Sequence, residues 1–352
     1  MMKQTLFYYK VGLYVFFRLF KKEMKQPAPL PVVKKIYLWK RGFYSASYAL
    51  YQLEKNNIDL YLSDWAEAFR CKFVNRNTLY IDNKILFPQL AKPFVKMIDE
   101  PFLIMDGKLI PLGKIREVTS IDELLEDIRL KGPKIFKPVD GSSGEGIIKI
   151  SFENGSWVIN QKNVIQEDCK NLLNSLHNYL VSEFIIQADY SNTIYSKSVN
   201  TVRIITMIDP GTGNAFIAAA AHRIGNSRSF PVDNCAAGGF TAAIDFESGK
   251  IGKATSTILN ENALTWFTHH PDTNAPIEGV TIPGWINLRT AILNFAQSMS
   301  FIPYIGWDIV IIKDGFTVIE ANDAPDIKLH QVHAPFLRDE RIKRFYRHYK
   351  VI

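Results

Sequence analysis

GWDIVIIKDGFTVIEANDAPD, residues 306–326, consists of two apolar runs rich in Ile and Val folded about a Lys313-Asp314-Gly315 turn. Strands of this composition are as a rule buried on both faces, yet these carry Asp308, Glu320, Asn322 and Asp323 near their ends. Acids inside a buried sheet want a cation. A hard ion such as magnesium takes one or two carboxylates together with phosphate and water oxygens. Glu320 and Asn322 are two apart and share a face of their strand. Asp308 joins them only in one register. A two-residue Asp314-Gly315 turn pairs 308 with 321 and turns Asp308 to the opposite face. A three-residue Lys313-Asp314-Gly315 turn, with Gly315 left-handed, pairs 312 with 316 and sets Asp308 across from Glu320. The three-residue turn is therefore expected, with Asp308, Glu320 and Asn322 as metal ligands. The alternative is an ordinary hairpin with solvated acids at its ends.

Upstream, KPVDGSSGEG (137–146) gathers Lys137, Gly141, Ser142, Ser143, Gly144 and Gly146 in one short turn between two predicted strands. Glycines permit the positive backbone torsions that aim successive amides at one anion. A P-loop or dinucleotide fingerprint needs a strand followed by a helix, and the P-loop lysine follows its glycines instead of preceding them. Both are excluded. A strand–turn–strand can instead fold down over the phosphates of a nucleotide, with Lys137 beneath; a plain flexible turn is the competing reading.

The rest of the chain frames these two segments. Ser120 and Glu123 form a capping box for a helix with Ile121, Leu124, Leu125 and Ile128 on one face, stopped at Gly132-Pro133. Strands are expected at 134–138, 146–150, 180–186, 201–209 and 215–223. Helices are expected around Leu172–Leu180, after Pro283-Gly284, and at the basic C-terminus. Residues 41–91 read as mostly helical. Strands and helices in blocks, with hairpins in place of regular βαβ alternation, give an α+β fold. No internal repeat or low-complexity tract occurs.

Hydrophobic residues make up 47% and charged residues 22% of the 352, which is the composition of a globular protein. The net charge of +7 favours an anionic substrate or surface. No zinc-finger or RNA-recognition signature accompanies it, so nucleic acid is not an expected partner. Cys71, Cys169 and Cys235 are far apart and odd in number, which fits inert thiols in a reducing cytoplasm. The first 25 residues are aromatic and apolar, but the longest uncharged run, Val11 to Phe17, is too short to span a bilayer. Lys3, Lys10, Arg18, Lys21, Lys22 and Lys25 fall within an arc of roughly 120° on a helix, against Phe7, Phe16, Phe17 and Phe20. Such a helix suits the interface of an anionic membrane at its inner face, and equally suits docking on the protein's own core.

With the basic glycine turn upstream and D…E-x-N downstream, the chain resembles the ATP-grasp superfamily, and within it the sugar-transfer-associated branch. The likeness spans about 83–337 and rests on NKILF (83–87), KPVDGSSGEG, SEFIIQ (182–187), SVNTVRI (198–204) with HRIGNSRSFPVDNCAAGGF (222–240), and the last hairpin. It implies two α+β lobes clasping ATP: a small lobe over 96–186 with the glycine lid, and a large lobe over 187–352 with the metal site. An N-terminal helix and linker (1–30) and a mainly helical region (31–95) come before them. By resemblance Lys84 and Lys137 neutralise phosphates. Glu183 with Phe184, Ile185 and Ile186 meets adenine, and Asp189 serves the ribose. Gly141, Ser142, Ser143 and Gly144 cover the triphosphate. Asp308, Glu320 and Asn322 hold Mg2+, and Arg203 and Arg223 flank the γ-phosphate. The loop from Asn234 to Gly239 closes over the acyl phosphate. Arg203 could instead simply pair with a buried acid.

The implied activity is an ATP-dependent ligase that makes an acyl phosphate from a small-molecule or glycan-linked carboxylate and passes it to an amine or thiol acceptor. Surface-polysaccharide or cell-envelope modification is the implied context. A small-molecule kinase on the same fold and a non-catalytic nucleotide-binding module of a glycan assembly are the rivals. His222 reads as structural, being a lone histidine on an apolar strand. His269-His270 and His330/His333 lack a metal spacing.

Overall fold

The computed structural model describes residues 2–25, 28–113, 118–141, 144–259 and 263–352; Ser142 and Ser143 lie outside the described residues. Those residues build two antiparallel sheets of seven strands. The first comprises β1 Phe102–Met105, β2 Lys108–Pro111, β3 Lys134–Pro138, β4 Ile148–Glu153, β5 Ser156–Ile159, β6 Lys162–Val164 and β7 Tyr179–Glu183, in the order β2-β1-β7-β3-β4-β5-β6. The second comprises β8 Val202–Ile208, β9 Ala215–Ile224, β10 Phe240–Ile244, β11 Ile251–Ser256, β12 Trp266–Phe267, β13 Tyr304–Ile312 and β14 Gly315–Asn322, in the order β12-β11-β10-β9-β8-β13-β14.

One face of the first sheet is a core. Phe136, Ile150 and Val181 pack there against Leu124, Leu125 and Ile128 of the helix Ile121–Lys131 and against Cys169 and Leu173 of the helix Gln166–Ser175. Because strand side chains alternate, Ile135, Lys137 and Lys149 point to the other face, where they line a cleft. The second sheet is covered on both sides. Ile204, Ile305, Trp307 and Ile309 pack against the helix Trp285–Ser298. Ile205, Met207 and Tyr304 pack against Leu62, Cys71 and the helix Glu340–His348. Burial of β13 on both faces is what its run of Ile and Val implied.

The hairpin reaches its register by a different route from the one expected. Ile312 pairs with Gly315, so Lys313 and Asp314 alone make the turn, and the ladder continues as Ile311↔Phe316, Val310↔Thr317 and Ile309↔Val318. Ile319 then drops out of the pairing as a β-bulge, after which Asp308 faces Glu320 and Gly306 faces Asn322. The three-residue turn is thus absent. The one-residue insertion sits directly beside Glu320, in the strand and not in the turn. Bulges are a common means of re-aiming side chains beside functional sites.

Other boundaries also moved. The capping box forms as expected, with Glu123 N donating to Ser120 Oγ at 3.2 Å and Ser120 N to Glu123 Oε2 at 3.1 Å. β7 stops at Glu183, not at 186, and the predicted 172–180 helix lies at Gln166–Ser175. Residues 41–91 are helical in short pieces, at Ser45–Leu50, Asp64–Ala68, Leu79–Asp82 and Leu86–Ala91. Side-chain caps keep restarting the backbone: Asn57 accepts from Asp59 N, Ser63 from Ala66 N, and Asn83 from Ile85 N and Leu86 N.

Candidate active site

A cavity of about 690 Å³ lies between the two sheets. Its acidic floor is the far end of the β13–β14 hairpin. Asp308 is gripped from the neighbouring strands: Arg203 donates through Nε to Oδ1 and through Nη2 to Oδ2 at 2.8 Å, and Arg223 Nη1 reaches Oδ2 at 3.1 Å. Burial alone would raise the Asp308 pKa, but Arg203 and Arg223 hold it well below the usual carboxylate range. Glu320, across the ladder, moves the other way. Burial and the negative charge of Asp308 raise it, and it shares a hydrogen bond with Asp308. Arg223 also pairs with Asp233 through Nη2 at 3.0 Å, and Asp233 Oδ2 accepts from Thr201 N at 2.7 Å. The two readings of Arg203, cation of the site and partner of a buried acid, therefore meet in one contact: the buried acid is Asp308.

These residues fit a hard divalent ion. Two facing carboxylates, one with its pKa raised by burial and by the charge of the other, stand beside Asn322, whose Nδ2 is buried without a hydrogen-bond partner. Among the described residues no group of three or more His, Cys, Asp or Glu could hold a metal on its own. Asp308, Glu320 and Asn322 would offer such an ion two carboxylates and a carboxamide oxygen, with its remaining positions left to phosphate and water, as magnesium prefers.

The basic side of the cleft is built from the first sheet and the helical segment before it. Lys137 forms an ion pair with Glu100. Lys84 donates from Nζ to the carbonyls of Pro138, at 2.9 Å, and Gly141, pinning the root of the glycine turn; burial lowers its pKa. Gly144, at φ +79°, rests on the opposite wall, where a Cβ would lie 2.9 Å from Val232 Cγ1. Phe184, Ile185 and Ile186 leave β7 and cross to the second sheet, where Ala188 N donates to Ile311 O at 2.8 Å. They line the cleft, and the Lys149 ammonium lies 5.1 Å from the Phe184 ring centre. The Glu183 carboxylate accepts from buried Lys134 at 2.8 Å on both oxygens. Asn234 also lines the cleft, with its side-chain oxygen accepting from Ala236 N at 2.9 Å.

Residues 68–344 match the family described as sugar-transfer associated ATP-grasp. The chain belongs to that family. Solved structures of ATP-grasp ligases align with it at low identity. D-alanine-D-alanine ligase from Helicobacter pylori is 13% identical, with TM-score 0.40, over 77% of this chain and 61% of that one. N5-carboxyaminoimidazole ribonucleotide synthetase from Thermotoga maritima is 11% identical, with TM-score 0.38, over 75% and 49%. The chain thus spans about half to three fifths of the length of these two proteins. No protein of curated function matches the sequence.

In this ATP-grasp chain one expected site residue stands elsewhere. Asp189 opens the helix Asp189–Ile194, is exposed, and does not line the cleft; an acid in a helix's first turn is favoured there by the helix dipole. Asn192 and Lys197 line the wall instead. Sequence reasoning also passed over Glu100, Lys149 and Asp233. Asp233 lay inside the quoted 222–240 stretch, but its role depends on Arg223 and Thr201, which only the sheet brings to it.

His222 is structural, as its setting on an apolar strand suggested. It is fully buried, its Nδ1 donates to Arg223 O at 3.0 Å, and its Nε2 lies 3.0 Å from the Tyr190 hydroxyl. Burial pushes its pKa down to about 4, and His333 is lowered to about 4 for the same reason. An unfolded histidine titrates near ~6.5, so below that pH the unfolded chain binds protons that the fold refuses. Stability from His222 is complete above pH ~6.5 and is lost as pH falls toward ~4, by about 3 kcal/mol at the acid end. Denaturant midpoints measured between neutral and acid pH should fall, and His222→Gln should flatten that slope. An unchanged slope in the variant would mean that His222 is protonated in the native state.

Proposed function

We propose that the chain is an ATP-dependent carboxylate–amine ligase. The observation that carries this reading is a single cleft in which Asp308, Glu320 and Asn322, flanked by Arg203 and Arg223, face Lys84, Lys137 and the glycine turn. Adenine would lie along Phe184–Ile186, with the triphosphate running past Gly141 and Gly144 toward the acids. Asp308, Glu320 and Asn322 would hold Mg2+, which neutralises charge building up on the transferred phosphoryl group.

The protein's own groups do the remainder. Arg203 and Arg223 supply fixed positive charge where two anions, the γ-phosphate and a carboxylate, must approach, and guanidinium is shaped for bidentate contact with both. The carboxylate oxygen attacks the γ-phosphorus, ADP leaves, and an acyl phosphate remains. An amine then attacks the acyl carbon and expels phosphate. The acyl phosphate is hydrolysed readily, so Gly144 seated on Val232 serves to exclude water. The family's association with sugar transfer supports a substrate or acceptor among sugar or cell-envelope precursors.

Product analysis tests the reading. With ATP, magnesium and candidate uronic or amino acids, ADP and free phosphate together with an amide support a ligase. ADP with a phosphorylated product would make the chain a kinase, and binding without turnover would make it a nucleotide-binding module. The lid gives a second test. Gly144→Val combines a left-handed backbone position with contact against Val232. At about 1–2 kcal/mol of strain in the closed form, turnover should fall roughly tenfold with the melting temperature unchanged. Normal turnover in this variant would detach lid closure from the reaction.

A further inference from the structure

The helix Met2–Lys25 is not free to choose the face it shows. Val15 is fully buried, the Tyr8 ring lies 4.7 Å from that of Phe69 and 4.9 Å from that of Phe73, and a Cβ on Gly12 would stand 3.3 Å from Phe69. Further along, the buried Glu23 carboxylate accepts from Ser45 N at 2.7 Å and from Ser45 Oγ. Residues 8, 12, 15, 19 and 23 thus form the docked stripe. At about 100° per residue, Tyr9, Leu13, Phe16, Phe17, Phe20 and Met24 fall in an adjoining arc of roughly 100° on the flank of that stripe. They remain exposed, Tyr9 at 69%, Leu13 and Phe17 at 59% and Phe20 at 50%. Lys10, Arg18 and Lys21 are exposed in a row along one edge of that apolar face. The next helix, Val32–Lys40, shows Val33, Tyr37 and Trp39 to solvent among Lys34, Lys35 and Lys40. A soluble surface rarely leaves so many large apolar side chains together.

Charge says what covers them. Residues 2–41 hold ten of the 42 basic residues and one of the 35 acidic ones, Glu23, which is buried. The segment is therefore +9, and the remaining 32 basic and 34 acidic residues sum to −2. All of the protein's net positive charge resides where its apolar surface is exposed. A second copy packed on this face would oppose two strongly cationic surfaces, whereas aromatic rings flanked by lysine and arginine match acyl chains beneath anionic headgroups. Among the described residues no helix is long and apolar enough to cross a membrane. We propose that the outward face of Met2–Lys25, supported by Val32–Lys40, docks the protein flat on an anionic lipid surface, with Glu23 and Val15 fixing the helix to the body.

The test uses the full chain with vesicles of phosphatidylcholine alone or with about one quarter phosphatidylglycerol. The protein should sediment with the anionic vesicles at least ~10-fold better than with the neutral ones. Leu13→Asp/Phe17→Asp and, separately, Lys10→Glu/Arg18→Glu/Lys21→Glu should each reduce that binding at least ~10-fold. Melting temperatures should not change, because these side chains are exposed. Wild-type protein left in the supernatant, or binding that survives both variants, overturns the proposal. So does a dimer without vesicle binding that Leu13→Asp/Phe17→Asp converts to monomer, which would assign the face to a second copy. Capture of an acidic protein without vesicle binding would assign it to that protein and overturn the proposal equally.

Discussion

Glu320→Gln is expected to lower ATP turnover at least ~10²-fold while leaving the fold as stable as before. The two halves of this expectation come from the same contact. Glu320 is driven toward its protonated form by burial and by the charge of Asp308, to which it is hydrogen bonded. A glutamine is the neutral isostere of that form, and its amide can donate to Asp308 in the same way. Denaturant midpoints should therefore coincide. Once a divalent ion and a triphosphate occupy the cleft, the carboxylate must act as an anion, and an amide cannot. Asp308→Asn should reduce turnover as much but is a less clean probe. Asp308 is the anion between Arg203 and Arg223, and its loss leaves buried guanidinium without a partner, at about 3–5 kcal/mol of stability. Turnover of ADP and phosphate, read beside the melting curves, checks both. Near-normal turnover in Glu320→Gln would remove the metal assignment.

Arg223→Met should cost both stability and activity. Arg223 bridges Asp308 and Asp233, all three buried. With the guanidinium gone, Asp233 is left with the Thr201 contacts and Asp308 with Arg203 as its cation, so a loss of about 3 kcal/mol is expected. Turnover should drop at least ~10²-fold beyond what the lost folded fraction explains, because a fixed cation has left the place where phosphoryl charge develops. Adding Asp233→Asn to Arg223→Met separates the two effects. The double variant removes the unpaired acid and should regain part of the stability, but none of the turnover. Should turnover recover along with stability, Arg223 is a structural counterion and the γ-phosphate end of the cleft needs another candidate.

The two segments that framed the site could be read without coordinates because their chemistry is local. Ile and Val in alternating runs with acids at the ends describe a buried hairpin that lacks charge balance, and the glycines of 141–146 describe a turn able to present amides. The capping box at Ser120 and the helix stop at Gly132 are equally local. Boundaries failed where tertiary contacts intervene. β7 stops at Glu183 because the chain must cross there to reach Ile311, and the helical stretch 41–91 is divided into short helices, several of them capped by Asn and Ser side chains. Asp189 was assigned to the ribose by resemblance, and the helix it opens holds it in solvent.

The amino-acid sequence by itself determined which groups are present: two carboxylates and an amide on one hairpin, lysines and glycines upstream, arginines on the apolar strands, and an aromatic helix with a basic edge. Residue type and period decide those points, and both are properties of the chain alone. Only the tertiary structure decided which of these groups meet. Asp308 faces Glu320 because one residue, Ile319, bulges out of the ladder, and a slip of one residue reverses every side chain beyond it. In the same way Glu23 and Val15, by docking on the body, left Leu13 and Phe17 outside; an amphipathic pattern names the faces of a helix, but packing selects the one that is covered.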